Sequence, residues 1–126
     1  MEVKWGLIPD MSISQTLPRL VGIDVAKELA LTARVLSGEE ALAIGLVTRL
    51  ADEPLEAASA LATEIATKSP DAVRGVKRLF RDSWSRPPDE GLALEAEIQH
   101  GLIGSANQLA AVAAGMTGEA GAFADP

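Results

Sequence analysis

The chain has 126 residues, enough for one domain that buries roughly two thirds of the surface its unfolded chain exposes. Its 48% hydrophobic content supports a core, but two Trp, two Phe and no Tyr leave that core to Leu, Val, Ile and Ala, a composition that favours helices. A net charge of −7 argues against a nucleic-acid partner, and the absence of cysteine excludes disulfides, thiolate chemistry and a Cys/His metal site, since His100 is the lone histidine.

The opening stretch, Glu2 to Ser12, concentrates the chemistry. Residues 2 to 5 alternate in character and predict a short strand, with Gly6 to Asp10 as a turn. Pro9 fixes its own φ and biases Ile8 toward extended geometry, so the approach to Asp10 is pinned. Ser12 and Ser14 are candidate N-caps for a short helix that runs to Val21, with Pro18 distorting it and Gly22 ending it.

From Asp24, the apolar positions Val25, Ala26, Leu29 and Ala30 have helical spacing, and the stretch from Thr32 to Val35 is more β-prone. Ser37-Gly38-Glu39-Glu40 is a capping box that opens a short helix, and Gly45 stands where a C′ residue belongs. Leu46 to Leu50 then reads as a strand or extended crossing. Asp52-Glu53-Pro54 starts a longer helix, with Leu55, Ala58, Leu61, Ala62 and Ile65 on one face.

Ser69-Pro70-Asp71 repeats that grammar and opens a helix in which Val73, Val76, Leu79 and Phe80 share a side. Arg86-Pro87-Pro88 breaks it. A third long helix follows, from Asp89 to Leu102, with Leu94, Ile98 and Leu102 in register. Ser105 caps a last helix carrying Leu109, Val112 and Met116. The Gly/Ala-rich tail after Thr117 is expected to be loosely held unless something docks Phe123.

The expected fold class is therefore mostly α with short β segments. Residues 1–126 are read as one domain: 1–50 the strand, loop and short helices, 51–117 the long helices, 118–126 a flexible tail. No secretory signal or membrane span is legible, so a cytoplasmic location and no membrane partner are expected. Arg74, Lys77, Arg78, Arg81 and Arg86 form a basic cluster, read either as a solvated helix face or as a face toward a phosphate-bearing ligand. His100 falls on the polar side of its helix and is read as a surface residue.

At Glu2 to Gly22, and again at Leu31-Thr32, Gly45-Leu46-Val47, Ser69-Pro70 and Lys77, the sequence resembles the crotonase superfamily, the enoyl-CoA hydratases and isomerases. The match is collinear from the first residues to Phe123 and Asp125. It resembles only the C-terminal half of such an enzyme, the helical part of a ClpP/crotonase α/β fold without its N-terminal spiral core. That implies a fatty acyl-CoA thioester as substrate, coenzyme A entering as substrate and no further cofactor or metal. It also implies a homo-oligomer, trimer or hexamer, or a complementary N-terminal half as partner.

By resemblance Glu2 falls on a catalytic glutamate of the hydratases. Water adds to an α,β-double bond when a base takes its proton while an acid protonates the α-carbon. The resemblance places the second glutamate and the backbone donors for the enolate oxygen in the other half. Asp10 stands where hydratases usually have glycine and dienoyl-CoA isomerases resemble this chain in having aspartate. Two carboxylates can shuttle a proton along a conjugated acyl chain. A Pro-Asp pair is equally an ordinary turn or helix start. The remaining candidates for substrate contact are Trp5, which could otherwise be core, Gly6, Pro9 and Phe123.

Two departures bear on the site. The family's Gly-Gly-Thr is here Ser12-Ile13-Ser14, and its tail Lys-Arg is here Gly118-Glu119. Three roles follow from the sequence: part of an acyl-CoA hydratase or isomerase, a non-catalytic helical self-association module, or a truncated product with neither role.

Overall fold

Helix-start and helix-stop residues bound most of the helices, but the helix from Ile13 begins without a side-chain cap bond from Ser12, and the helix ending at Thr32 has Ala33, not glycine, at its stop. The computed structural model describes residues 2–125, of which about two thirds are helical. The chain divides into two compact units, Met1–Pro54 and Leu55–Pro126.

In the first unit a 3₁₀ turn, Glu2–Trp5, precedes α1 (Ile13–Val21), α2 (Ile23–Thr32) and α3 (Gly38–Ala43). Helix α1 continues through Pro18, and Gly22 closes it by donating its N–H to the Pro18 carbonyl at 3.1 Å. Helices α1 and α2 pack on each other, with Leu17 and Ala26 buried; Ala41 of α3 is the third buried apolar residue here. Gly45, at φ +76°, ends α3 in a Schellman turn: its N–H reaches Leu42 O at 3.1 Å and the Leu46 N–H reaches Ala41 O at 2.8 Å.

The second unit holds α4 (Pro54–Ala66, whose first residue closes the first unit), α5 (Pro70–Ser83), α6 (Pro88–Leu102) and α7 (Ala106–Thr117). The Ser69 and Ser105 hydroxyls accept from Ala72 N–H and Gln108 N–H and cap α5 and α7. Helices α5 and α6 form the main packed pair, around Leu94. Gly75 permits that approach, because a Cβ there would lie 3.0 Å from Ile98 Cγ2. Arg78 bridges the same pair through Glu97 at 2.8 Å.

Both short β segments are corrected. Residues 2–5 form a 3₁₀ turn because Gly6 N–H and Leu7 N–H fold back on Val3 O and Glu2 O, each at 3.1 Å. Residues 46–50 are bends and irregular chain, two of whose N–H groups close α3. No strand occurs among the described residues. An extended segment with no neighbour leaves its backbone groups to water, so local turns win.

The tail also differs from a free end. Asn107, 5% exposed, donates to Ala124 O at 2.8 Å and accepts from Ala124 N–H at 2.9 Å. Arg74 pairs with Asp125 at 2.7 Å.

Candidate functional site

The 3₁₀ turn sets Glu2 inward while Val3, Lys4 and Trp5 face solvent. Leu7 N–H holds the Glu2 carbonyl, the turn lies against α2, and Glu2 is half-buried. Its side chain lines a concavity of about 290 Å³ with Pro9, Ile13 and Leu17 from one side and Leu29, Leu36 and Leu46 from the other. A hydrogen bond from the chain's α-amino group, and one from its own backbone N–H, hold the Glu2 carboxyl below its usual value. An ionised carboxylate in a largely apolar recess is equipped to accept a proton.

Arg34 lines the same concavity, and nothing in the sequence reading singled it out. It pairs with Glu28 of α2 and Glu40 of α3, each at 3.2 Å. The spacing Glu28, Arg34, Glu40, six residues each way across a helix end, is the signal that was available. These pairs hold the chain between α2 and α3 beside the recess.

Pro9, Ile13, Leu17 and Ala30 also line an adjoining concavity of about 310 Å³, which is completed by Ile8, Pro18, Ile23 and Ala26. Its lining is apolar apart from Ser14 and Lys27. A carboxylate-bearing recess and an apolar one thus share a wall, suited to a reacting group with an apolar extension.

The other candidates are placed differently. Asp10 is exposed and is not among the residues lining the Glu2 concavity. Gly6 supplies the turn at φ +71°. Trp5 is 73% exposed, not core, with the Lys4 ammonium 5.9 Å from its ring centroid. Phe123 belongs to the second unit, half-buried in the anchored tail. Glu2 and Pro9 are therefore brought together, and Asp10 stands apart from their recess. Ser12, where the resemblance has glycine, keeps a left-handed backbone at φ +61°.

The basic cluster is largely paired internally. Arg78 and Arg81 reach Asp82, Arg86 reaches Glu90 at 3.7 Å, and Arg74 reaches Asp125. No described helix is long and apolar enough to cross a membrane.

Comparison with known proteins adds to this geometry. The sequence model of the family described as enoyl-CoA hydratase/isomerase matches residues 1–119. The Mycobacterium leprae protein named probable enoyl-CoA hydratase echA8 is 37% identical over 115 residues, covering 90% of this chain and 45% of its own length. The mitochondrial methylglutaconyl-CoA hydratase of Mus musculus is 33% identical over 115 residues, covering 86% of this chain and 37% of its own. Among solved structures, a probable enoyl-CoA hydratase/isomerase from Mycobacterium abscessus superposes with a TM-score of 0.91 at 33% identity, over 99% of this chain and 51% of that one. An enoyl-CoA hydratase from Bacillus anthracis gives 0.89 at 31% identity, over 97% and 48%. The chain thus spans less than half the length of the curated relatives it matches.

Proposed function

This chain belongs to the enoyl-CoA hydratase/isomerase family, and on that premise we propose that it acts on fatty acyl-CoA thioesters, hydrating a 2-enoyl-CoA or moving its double bond. Glu2 is the catalytic base on this reading. The supporting observation is its place: a carboxylate lining a recess whose wall is shared with an apolar concavity that can cover an acyl chain. In hydration, Glu2 takes a proton from the water whose oxygen joins the β-carbon. In isomerisation Glu2 takes a proton from one end of the conjugated acyl chain, and Asp10, entering the step protonated, delivers its own proton to the other end, so that the two carboxyls exchange protonation states.

Among the described residues no second carboxylate lines the recess, so the α-carbon proton and the enolate-stabilising donors come from outside these lining residues. Each missing oxyanion donor costs roughly 3 kcal/mol of transition-state stabilisation. The 126 residues alone are therefore expected to be inert toward crotonyl-CoA and a 3,5-dienoyl-CoA. Within a chain completed by a relative's other half, Glu2→Gln should lower crotonyl-CoA hydration by about 100-fold or more. Full hydration in that variant would refute the assignment of Glu2. Isomerisation undiminished by Asp10→Asn would remove Asp10 from the mechanism.

A second reading, a helical self-association module, is favoured by the apolar surface of the helices. Leu55 is 81% exposed, Leu92 64% and Leu109 59%. Faces of this kind are covered in a stable protein. Self-association is compatible with the catalytic reading, as a trimer or hexamer, and light scattering tests it: a monodisperse monomer without dye binding would exclude it.

A further inference from the structure

Asn107 is the most deeply set polar side chain of the second unit, and its amide bonds tie three elements together. Its Nδ2 donates to Asp71 Oδ2 of α5 at 2.9 Å and to Ala124 O at 2.8 Å, while its Oδ1 accepts from Ala124 N–H at 2.9 Å. The side chain thus pairs with both backbone groups of one tail residue, as a neighbouring strand would. One residue further on, Asp125 is fixed by Arg74.

The residue on the other side of Ala124 is Phe123. Its ring is folded against Gly121 so closely that a Cβ on that glycine would collide with the ring. Gly121 and Ala124 therefore hold Phe123 from both sides, one by absence of a side chain and the other by the Asn107 amide.

We propose that Asn107 is a latch that docks the tail and, through Ala124, positions Phe123. An amide is the group this place requires. Asp71 supplies an acceptor and Ala124 one donor and one acceptor, so the central side chain must present donors to two partners and an acceptor to the third. A carboxylate at 107 could accept from Ala124 N–H but would face Asp71 and the Ala124 carbonyl with lone pairs alone.

Asn107 therefore acts through Phe123, and on the acyl-CoA reading of this chain, on which this step rests, Phe123 is an apolar contact for the acyl-CoA ligand.

The test compares Asn107→Ala, Asn107→Asp and Phe123→Ala in the 126-residue chain by nuclear magnetic resonance. Helix content by circular dichroism serves as the control. Two signals report the latch: exchange of the Ala124 amide, and the ring-current shift of the Gly121 Hα protons. In Asn107→Ala the Ala124 amide should exchange at least about tenfold faster, and the Gly121 shift should collapse to the value in Phe123→Ala. In Asn107→Asp the same loss is expected at pH 7. It should reverse in part on acidification, because a protonated carboxyl at position 107 can donate to Asp71 and accept from Ala124 N–H but has no second proton for the Ala124 carbonyl.

Arg74, Arg78 and Glu97 line one cleft with Asp71, Asp125 lies on the tail, and α7 carries no charged residue. Unchanged Ala124 exchange in Asn107→Ala would overturn the latch. A Gly121 shift that persists while Ala124 exchanges freely would overturn the positioning of Phe123. Asn107→Asp failing to recover in acid would overturn the hydrogen-bonding account.

A second arm titrates the parent and each variant, every one completed by a relative's other half, with crotonyl-CoA. Equal loss of affinity in Asn107→Ala and Phe123→Ala, with no further loss in the double variant, is expected. Additive losses would show that Asn107 does not act through Phe123. If the parent chain binds no crotonyl-CoA while the resonance signals respond as expected, the acyl-CoA reading fails and the latch stands.

Discussion

Ser37 and Glu40 satisfy each other across the first turn of α3. The Ser37 hydroxyl accepts from Glu40 N–H at 3.2 Å, and the Glu40 carboxylate accepts from Ser37 N–H at 2.8 Å. The same carboxylate pairs with Arg34, so the box ties α3 to the chain that leaves α2.

Ser37→Ala removes the acceptor for one N–H at a six-residue helix with few other bonds. A loss of about 1 kcal/mol is expected. Glu40→Ala should cost more, since it removes both the return bond and the link to Arg34. Urea unfolding of both variants measures the order, and an inverted order would show that Arg34 contributes nothing here.

Ala33 sits at the end of α2 with φ +53°. A left-handed backbone costs a Cβ-bearing residue roughly 1–2 kcal/mol, and glycine avoids that cost while losing more chain entropy on folding. Ala33→Gly should therefore stabilise by up to about 1 kcal/mol. Ala58→Gly, inside α4, should destabilise by about the same amount. Opposite signs for one chemical change in two places, read from thermal midpoints, is the expected result.

The capping box, the two Ser-led helix starts and the glycine stops were legible because each is a local hydrogen-bond arrangement of four to six residues. The expectation of strands at 2–5 and 46–50 failed for a non-local reason. Val3, Trp5 and Leu46 to Leu50 have the composition of strands, but a strand needs a neighbour, and composition does not supply one. Ala33 shows the same limit: no glycine marks the end of α2, so the chain was read as β-prone there. Of the residues that line the Glu2 recess, Glu2 and Pro9 were named from the sequence, while Arg34 was not, because its pairs span a helix end. The Asn107 contact with Ala124 links residues 17 apart, and no local pattern announces it.

Asp82 provides the pH dependence. Its hydrogen bond from Arg81 at 2.7 Å, with the charges of Arg81, Arg78 and Arg86, lowers its carboxyl below the usual aspartate value. A carboxyl whose folded-state value is depressed stabilises the fold fully above the unfolded value, about 3.9, and that contribution disappears as pH falls through the lower folded value. Asp82→Asn should therefore be less stable than the parent near neutrality and converge with it in acid. Because the pair faces solvent, the gap should also narrow in 1 M salt. Urea midpoints from pH 6 down to pH 2 test both; a gap that is constant across this range would exclude the ion pair as its source.

Leu94 and Leu55 separate what holds one chain together from what holds copies to each other. Leu94 is 5% exposed within the α5–α6 pair, whereas Leu55 is 81% exposed on α4. Leu94→Ala removes three carbons from a packed position and should cost about 2–4 kcal/mol at every protein concentration. Leu55→Ala should change unfolding of the monomer by less than about 0.5 kcal/mol. If α4 associates with a second copy, Leu55 is buried there, and the same variant should lower the thermal midpoint only where the parent is assembled. Concentration therefore discriminates: a Leu94 effect independent of it and a Leu55 effect that grows with it identify α4 as an association face, and a Leu55 effect of zero at all concentrations removes α4 from that role.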